Sequence, residues 1–184
     1  MKDTIEVKET DLLWKKINHL ENQMNDIRRA TLRAKENPDR TVYAFYQSNA
    51  GQVIPNGVAT VFNFEDKVYD THSAVTIGAA WKFTAPISAV YLATSKIRWQ
   101  ATADWATTER LGFYVYKNGV QYAILDGRWS QATNEETLCG GDCPVYLKTG
   151  EYINFVVNQL CGGDLTANTT AAFVWCSVVQ LRFI

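Results

Sequence analysis

Near the N-terminus the apolar positions Leu13, Ile17, Leu20, Met24, Ile27, Thr31 and Ala34 follow alternating steps of four and three residues. A repeat averaging 3.5 residues is the seam of a short coiled coil, narrower than the apolar face of a helix packed on its own domain. Asp11, or its neighbour Thr10, suits the N-cap. Asn37-Pro38 closes the segment, because the residue before proline avoids helical geometry. A helix over 11–36 would be roughly 40 Å long. With Ile17, Met24 and Thr31 at position a and Leu13, Leu20, Ile27 and Ala34 at d, Lys16 at g faces Glu21 at e of a neighbouring chain. Three heptads are marginal alone, so whatever follows must help to assemble the oligomer.

After Pro38 the period changes from 3.5 to two. Asn118-Gly119 lies between Phe113-Tyr114-Val115-Tyr116 and Gln121-Tyr122-Ala123-Ile124-Leu125, a strong signal for a two-residue hairpin. From Tyr91 to Ala101, Tyr91, Ala93, Ile97, Trp99 and Ala101 alternate with Thr94, Lys96, Arg98 and Gln100, predicting a strand with one buried and one wet face. The last strand differs. Phe173, Trp175, Val179, Leu181 and Phe183 share one side, Val174, Cys176, Val178 and Ile184 the other. A strand apolar on both sides is central in its sheet, or is covered on its second side by another subunit, and the stalk favours the latter. The expected organisation is a docking arm (1–10), a coiled-coil stalk (11–37), a linker (38–44) and a mainly β head (45–184), a sandwich or jelly roll.

Composition narrows the classes. Hydrophobic residues are 47% of the chain and charged residues 20%, enough for a packed core and against wholesale disorder. A net charge of −1 argues against a dedicated nucleic-acid binder. No apolar run is long enough to span a bilayer, and the charged opening Met1-Lys2-Asp3-Thr4-Ile5-Glu6-Val7-Lys8 does not suit a secretory signal, so synthesis in a cytoplasm is expected.

Two resemblances carry the reading further. Lys16-Ile17-Asn18-His19-Leu20-Glu21 is similar to the short trimer-specifying motif of coiled coils, with lysine in place of its usual arginine, whereas Ile at a with Leu at d leans towards two strands. In the head, Phe83-Thr84-Ala85-Pro86-Ile87-Ser88-Ala89-Val90-Tyr91 resembles the signature Phe-x-x-Pro-x-x-Gly-x-Tyr of the complement C-one-q globular head, with Ala89 where the family has glycine. The order of features also fits: Val68-Tyr69-Asp70 ahead of it, Tyr116-Lys117-Asn118-Gly119 and Leu147-Lys148-Thr149-Gly150-Glu151-Tyr152-Ile153 behind it, and an aromatic last strand. This resemblance to the complement C-one-q and tumour necrosis factor-like heads implies a ten-stranded jelly roll forming a compact homotrimer. It places Phe83, Pro86, Tyr91, Phe173, Trp175 and Phe183 in the core or at the subunit interface.

Candidate chemistry is sparse. Cys139-Gly140-Gly141-Asp142-Cys143 and Cys161-Gly162-Gly163-Asp164 repeat one tetrapeptide in what read as two loops. A disulfide between the loops or from Cys139 to Cys143, a zinc site of thiolates, a calcium site at Asp142 and Asp164, and a plain turn of small residues all remain open. No cofactor is required by the sequence; calcium or zinc would fit only at this cluster. With His19 on the stalk and His72 in a loop there is no histidine pair or triad, nor a phosphate-cradling glycine loop, so no enzyme is expected. Trp105 and Trp129, each beside polar residues, suit stacking on sugars or anchoring a protein contact, and equally suit a core or interface.

A cytoplasmically made trimer with an arm, a stalk and a head suits a bacteriophage virion protein: a head fibre, spike or decoration protein at the virion surface. The arm 1–10 would bind a capsid or tail protein and the head a host-surface glycan or protein, without nucleic acid or membrane insertion. The competing expectations are a free trimeric lectin-like module and a capsid-stabilising cap.

Overall fold

The chain divides into two units, Met1–Arg40 and Thr41–Ile184. The structure, a computed structural model, describes residues 41–100, 110–129 (backbone alone at Trp129) and 137–181, with Lys16, Leu20, Glu21, Gln23, Met24 and Asn25 in the first unit. Those six residues are helical, and Leu20 and Met24 of the heptad stripe are 59% and 68% exposed in the single chain. Leu13, Ile17, Ile27 and the arm 1–10 lie outside the described residues, as do Trp105 and Phe183.

Among the described residues of the second unit, alternation of period two builds thirteen strands: β1 (Tyr43–Gln47), β2 (Val53–Ile54), β3 (Thr60–Val61), β4 (Asp66–Asp70), β5 (Val75–Thr76), β6 (Lys82–Thr84), β7 (Ala89–Arg98), β8 (Arg110–Lys117), β9 (Val120–Trp129), β10 (Leu138–Leu147), β11 (Tyr152–Leu160), β12 (Leu165–Thr166) and β13 (Trp175–Gln180). One sheet runs β10-β7-β13-β1-β4 and the other β5-β6-β11-β8-β9, with β3 also pairing β11 and with β2 and β12 paired apart. Among the described residues the two main sheets thus hold five and six strands, the mainly β sandwich expected, with β2 and β12 a separate short pair. The head starts before the expected linker ends. Val42 is buried and Tyr43 already pairs Val179, so the chain is committed to the sheet at that point.

Aromatic rings fill the space between the sheets. Phe62 and Phe64 lie 4.8 Å apart, Trp81 stands 5.5 Å from Phe64 and 5.6 Å from Phe155, and Phe113 is 6.0 Å from Phe155. Tilted and edge-on pairs at such spacing add to the gain from burial. The Phe83-to-Tyr91 signature crosses between the sheets: Phe83 on β6 meets Tyr91 on β7 at 5.2 Å, and the Tyr91 hydroxyl donates to the Ile87 carbonyl at 2.7 Å. Both rings are core. Pro86, between them in sequence, is half-buried in the connection.

The local chemistry of the turns follows the sequence. Asn118 and Gly119 take φ of 50° and 80°, the two positive values a tight hairpin needs. At the end of β4, the Asp70 carboxylate accepts the backbone N–H groups of His72, Ala74 and Val75 (3.0–3.2 Å) and the Tyr46 hydroxyl (3.0 Å). Burial, and then this bond, raise the Tyr46 pKa. The β1–β4 register shifts between Phe45 and Tyr46.

One expectation is corrected. Cys139 to Cys143 is no loop: it lies within β10, whose ten residues pair continuously with β7. The glycines are there because backbones approach closely. A Cβ at Gly140 would stand 2.8 Å from the Ser95 carbonyl oxygen, and one at Gly141 2.7 Å from that of Leu125 on β9.

Replacing Asp70 with alanine strands three backbone donors and the Tyr46 hydroxyl. The expected loss is about 2 kcal/mol of unfolding free energy, read from urea denaturation of the full chain, with Tyr46→Phe costing less. Glu151 accepts from Lys117 Nζ (2.9 Å), the Lys148 N–H (2.8 Å) and Asn118 Nδ2 (3.1 Å), and the Lys117 bond, ahead of the others, lowers its pKa. A carboxylate with a lowered folded pKa stabilises at higher pH and ceases to as the pH falls through that pKa. The gap in thermal midpoint between the wild type and Glu151→Gln should therefore be constant above the ordinary value of 4.5 and shrink below it.

Candidate functional site

Strand register sorts the outward side of the β10-β7-β13-β1-β4 sheet into rows. Tyr43, Val179, Leu92 and Pro144 form an apolar row, flanked by the pair Val90 and Tyr146. The next row is Phe45, Ser177, Thr94 and Asp142, and the one after it Gln47, Trp175, Lys96 and Gly140. Tyr43 stacks on Tyr69 at 5.4 Å, and Phe45 meets Trp175 edge-on at 5.9 Å. The face is thus aromatic along β1 and apolar at one end, and it turns charged towards the other. The expected two-sided character of the last strand is observed: Val174, Cys176 and Val178 are buried while Trp175 and Val179 are half-buried outward, on a strand that is also central in its sheet. Phe173, in a short helical turn before β13, lies under the Arg98 guanidinium at 4.3 Å.

A second apolar surface lies on β9. Val120, Tyr122 and Ile124 are 70%, 50% and 64% exposed, while Ala123 and Leu125 between and beyond them pack on the core. The Tyr122 hydroxyl donates to the Pro144 carbonyl at 3.4 Å, tying this row to β10.

Where the charged end of the sheet face meets β9 there is a depression of about 290 Å³. Gly140 and Gly141 line it without side chains, Trp175 and Leu138 contribute apolar surface, and Lys96, Asp142, Asp126 and Arg128 contribute charge. Arg128 pairs with Asp126 at 3.1 Å, and the Asp126 carboxylate also accepts the Gly140 N–H at 3.3 Å. None of Lys96, Asp126, Arg128, Val120, Tyr122 or Ile124 is singled out by the sequence as a site residue. The available signals were the double glycine inside a strand and the exposed alternation Val120-x-Tyr122-x-Ile124.

The sequence-derived sites fare differently. Cys139 and Cys143 point inward from β10 and are buried, with Asp142 facing out between them. Four residues of strand separate the two Cα atoms by roughly 13 Å, beyond the reach of a disulfide, which needs Cα atoms within about 7 Å. Closing Cys139 to Cys143 is therefore excluded by the strand, and none of the four cysteines is joined in a disulfide. Cys161 sits at the turn after β11, its thiol donating to the Arg110 carbonyl at 3.6 Å, and Asp164 accepts the Asn56 N–H at 3.3 Å. The two tetrapeptides thus occupy a strand and a turn. Among the described residues no three His, Cys, Asp or Glu side chains are grouped to hold a metal. His72 Nδ1 lies 2.7 Å from the Thr71 hydroxyl in the turn after β4. Trp129 ends β9, with its side chain outside the described residues.

Electrostatics makes the buried thiols inert. Burial, then the nearby Asp126, pushes the Cys139 pKa up to about 12. Burial followed by Asp142 raises Cys143, and burial raises Cys176 well above the usual range. Neutral thiols are poor nucleophiles and poor metal ligands.

No family model matches the sequence, and no curated protein matches it. Solved structures do. The tumour necrosis factor Eiger of S. frugiperda is 14% identical, with a TM-score of 0.55 over 78% of this chain and 94% of its own. The globular domain of zebrafish complement 1qA is 13% identical, with a TM-score of 0.55 over 78% and 99%. Murine APRIL, at 12% identity, gives a TM-score of 0.54 over 77% and 100%. At these identities the likeness shows the fold: a jelly-roll head of the tumour necrosis factor and complement type, as the Phe83-to-Tyr91 signature implied.

With Cys139, Cys143 and Cys176 buried and protonated, a disulfide-exchange thiol reagent at pH 8 should titrate no more than Cys161 in the native chain and all four cysteines in denaturant. Reaction of two or more native thiols would contradict the placement of β10 and β13.

Proposed function

We propose that this chain is a non-enzymatic, homotrimeric display protein of a bacteriophage virion. In this reading residues 1–10 dock on a capsid or tail protein, the coiled coil projects, and the jelly-roll head meets the host surface. The observation that carries the self-association is the presence of two different apolar surfaces on one head: the aromatic rows around Tyr43, Phe45 and Val179, and the β9 row of Val120, Tyr122 and Ile124. Unlike patches that fit each other make a head-to-tail contact, and such a contact closes into a ring when the rotation permits. The resemblance of the head to compact trimers and the trimer-like motif at Lys16 to Glu21 favour three as the number. Leu20 and Met24, exposed on a helix in the single chain, gain cover when stalks associate. The virion role is supported by the arm, stalk and head organisation and by the absence of catalytic groupings in the sequence. Synthesis in the host cytoplasm and a final place on the virion surface follow from that role.

Light scattering should give three times the 20.8 kDa chain mass for the full-length protein. Ile124→Lys places a charge in the exposed β9 row and should weaken association at least tenfold while leaving the circular dichroism of the fold unchanged. Purified trimer should bind phage particles stripped of it and restore their adsorption. Restored heat resistance without restored adsorption would mark a capsid-stabilising cap, and no affinity for the particles would overturn the virion role.

A further inference from the structure

We infer that the depression between β10, β7, β13 and β9 is a carbohydrate subsite that takes a neutral pyranose ring. The inference rests on the reading of the head as a display module. Its volume of about 290 Å³ sits at the lower edge of small-ligand sites, roughly 300–1,000 Å³. Gly140 and Gly141 line the depression with backbone alone, at the place where a Cβ would run into the Ser95 and Leu125 carbonyls.

The lining selects the ligand class. Trp175 and Leu138 offer apolar surface, and an indole is suited to the C–H face of a sugar ring. Around them stand two cations, Lys96 and Arg128, and two anions, Asp126 and Asp142. Balanced charge gives no net attraction for a bare anion or cation. It supplies both donors and acceptors, which a polyhydroxyl ligand satisfies and an apolar one does not. The Asp126 carboxylate already accepts from the Arg128 guanidinium and the Gly140 N–H, forming one wall. Among the described residues the side chains of Lys96 and Asp142 have no hydrogen-bond or ion-pair partner, so both are available to hydroxyl groups.

The same charges keep the depression open in the assembled head. Burying unpaired Lys96 and Asp142 against an apolar neighbour costs more than it returns, whereas the rows around Val179 and Leu92 carry no such penalty. The sheet face is thus divided between an assembling half and a ligand half.

The test is an array of hexose- and N-acetylhexosamine-terminated oligosaccharides probed with the full-length protein, followed by calorimetric titration of the best binder and light scattering on the same sample. Binding of at least one such sugar is expected, with Lys96→Ala and Asp142→Asn each weakening it at least tenfold at unchanged molar mass and thermal midpoint. A trimer that binds no sugar on the array, or whose sugar binding survives both substitutions, overturns this inference and leaves the trimeric head intact. A monomer whose sugar binding depends on Lys96 and Asp142 keeps the site and overturns the trimer.

Discussion

The distance at which two strand edges can meet governs much of this head. β9 ends one sheet and β10 the other, and the Leu125 carbonyl lies where a side chain at Gly141 would stand. Only glycine permits that approach. From it follow the lateral closure of the sandwich, the inward burial of Cys139 and Cys143, the bare floor of the depression, and the outward turn of Val120, Tyr122 and Ile124. A feature that reads as a flexible, ligand-seeking loop in sequence is a close contact between backbones.

The sequence made the sheet architecture readable wherever a local rule was sufficient. The Asn118-Gly119 hairpin needs only its turn dipeptide and two flanking runs, and the phase of β7 is carried by Tyr91, Ala93 and Ile97. The Phe83-to-Tyr91 signature conveyed the fold because it spans both sheets, and a contact that joins layers is more informative than any single strand. The two-sided character of β13 was visible within its own stretch: Trp175 and Val179 put apolar side chains on the outward face, with Ser177 between them.

The candidate site was hidden because its parts lie far apart in sequence. Lys96 looked like the wet face of one strand, Asp126 and Arg128 like the polar neighbours of Trp129, and Asp142 like one of a pair of loop acids. Sheet register and the β9–β10 approach bring them to one place, and neither can be read from local alternation. Glycine is ambiguous in this respect, since the same Gly-Gly serves a turn or a close packing of chains, and only the length of the β7–β10 ladder decides between them.

The five-stranded sheet ends at β4, a five-residue strand that carries Asp66, Lys67 and Asp70 and whose partner shifts register beside Tyr46. An open edge is where sheets from different molecules would otherwise add to one another. Short, charged and interrupted, this edge resists such growth, so heads brought close together can stay separate units without knitting into a continuous sheet.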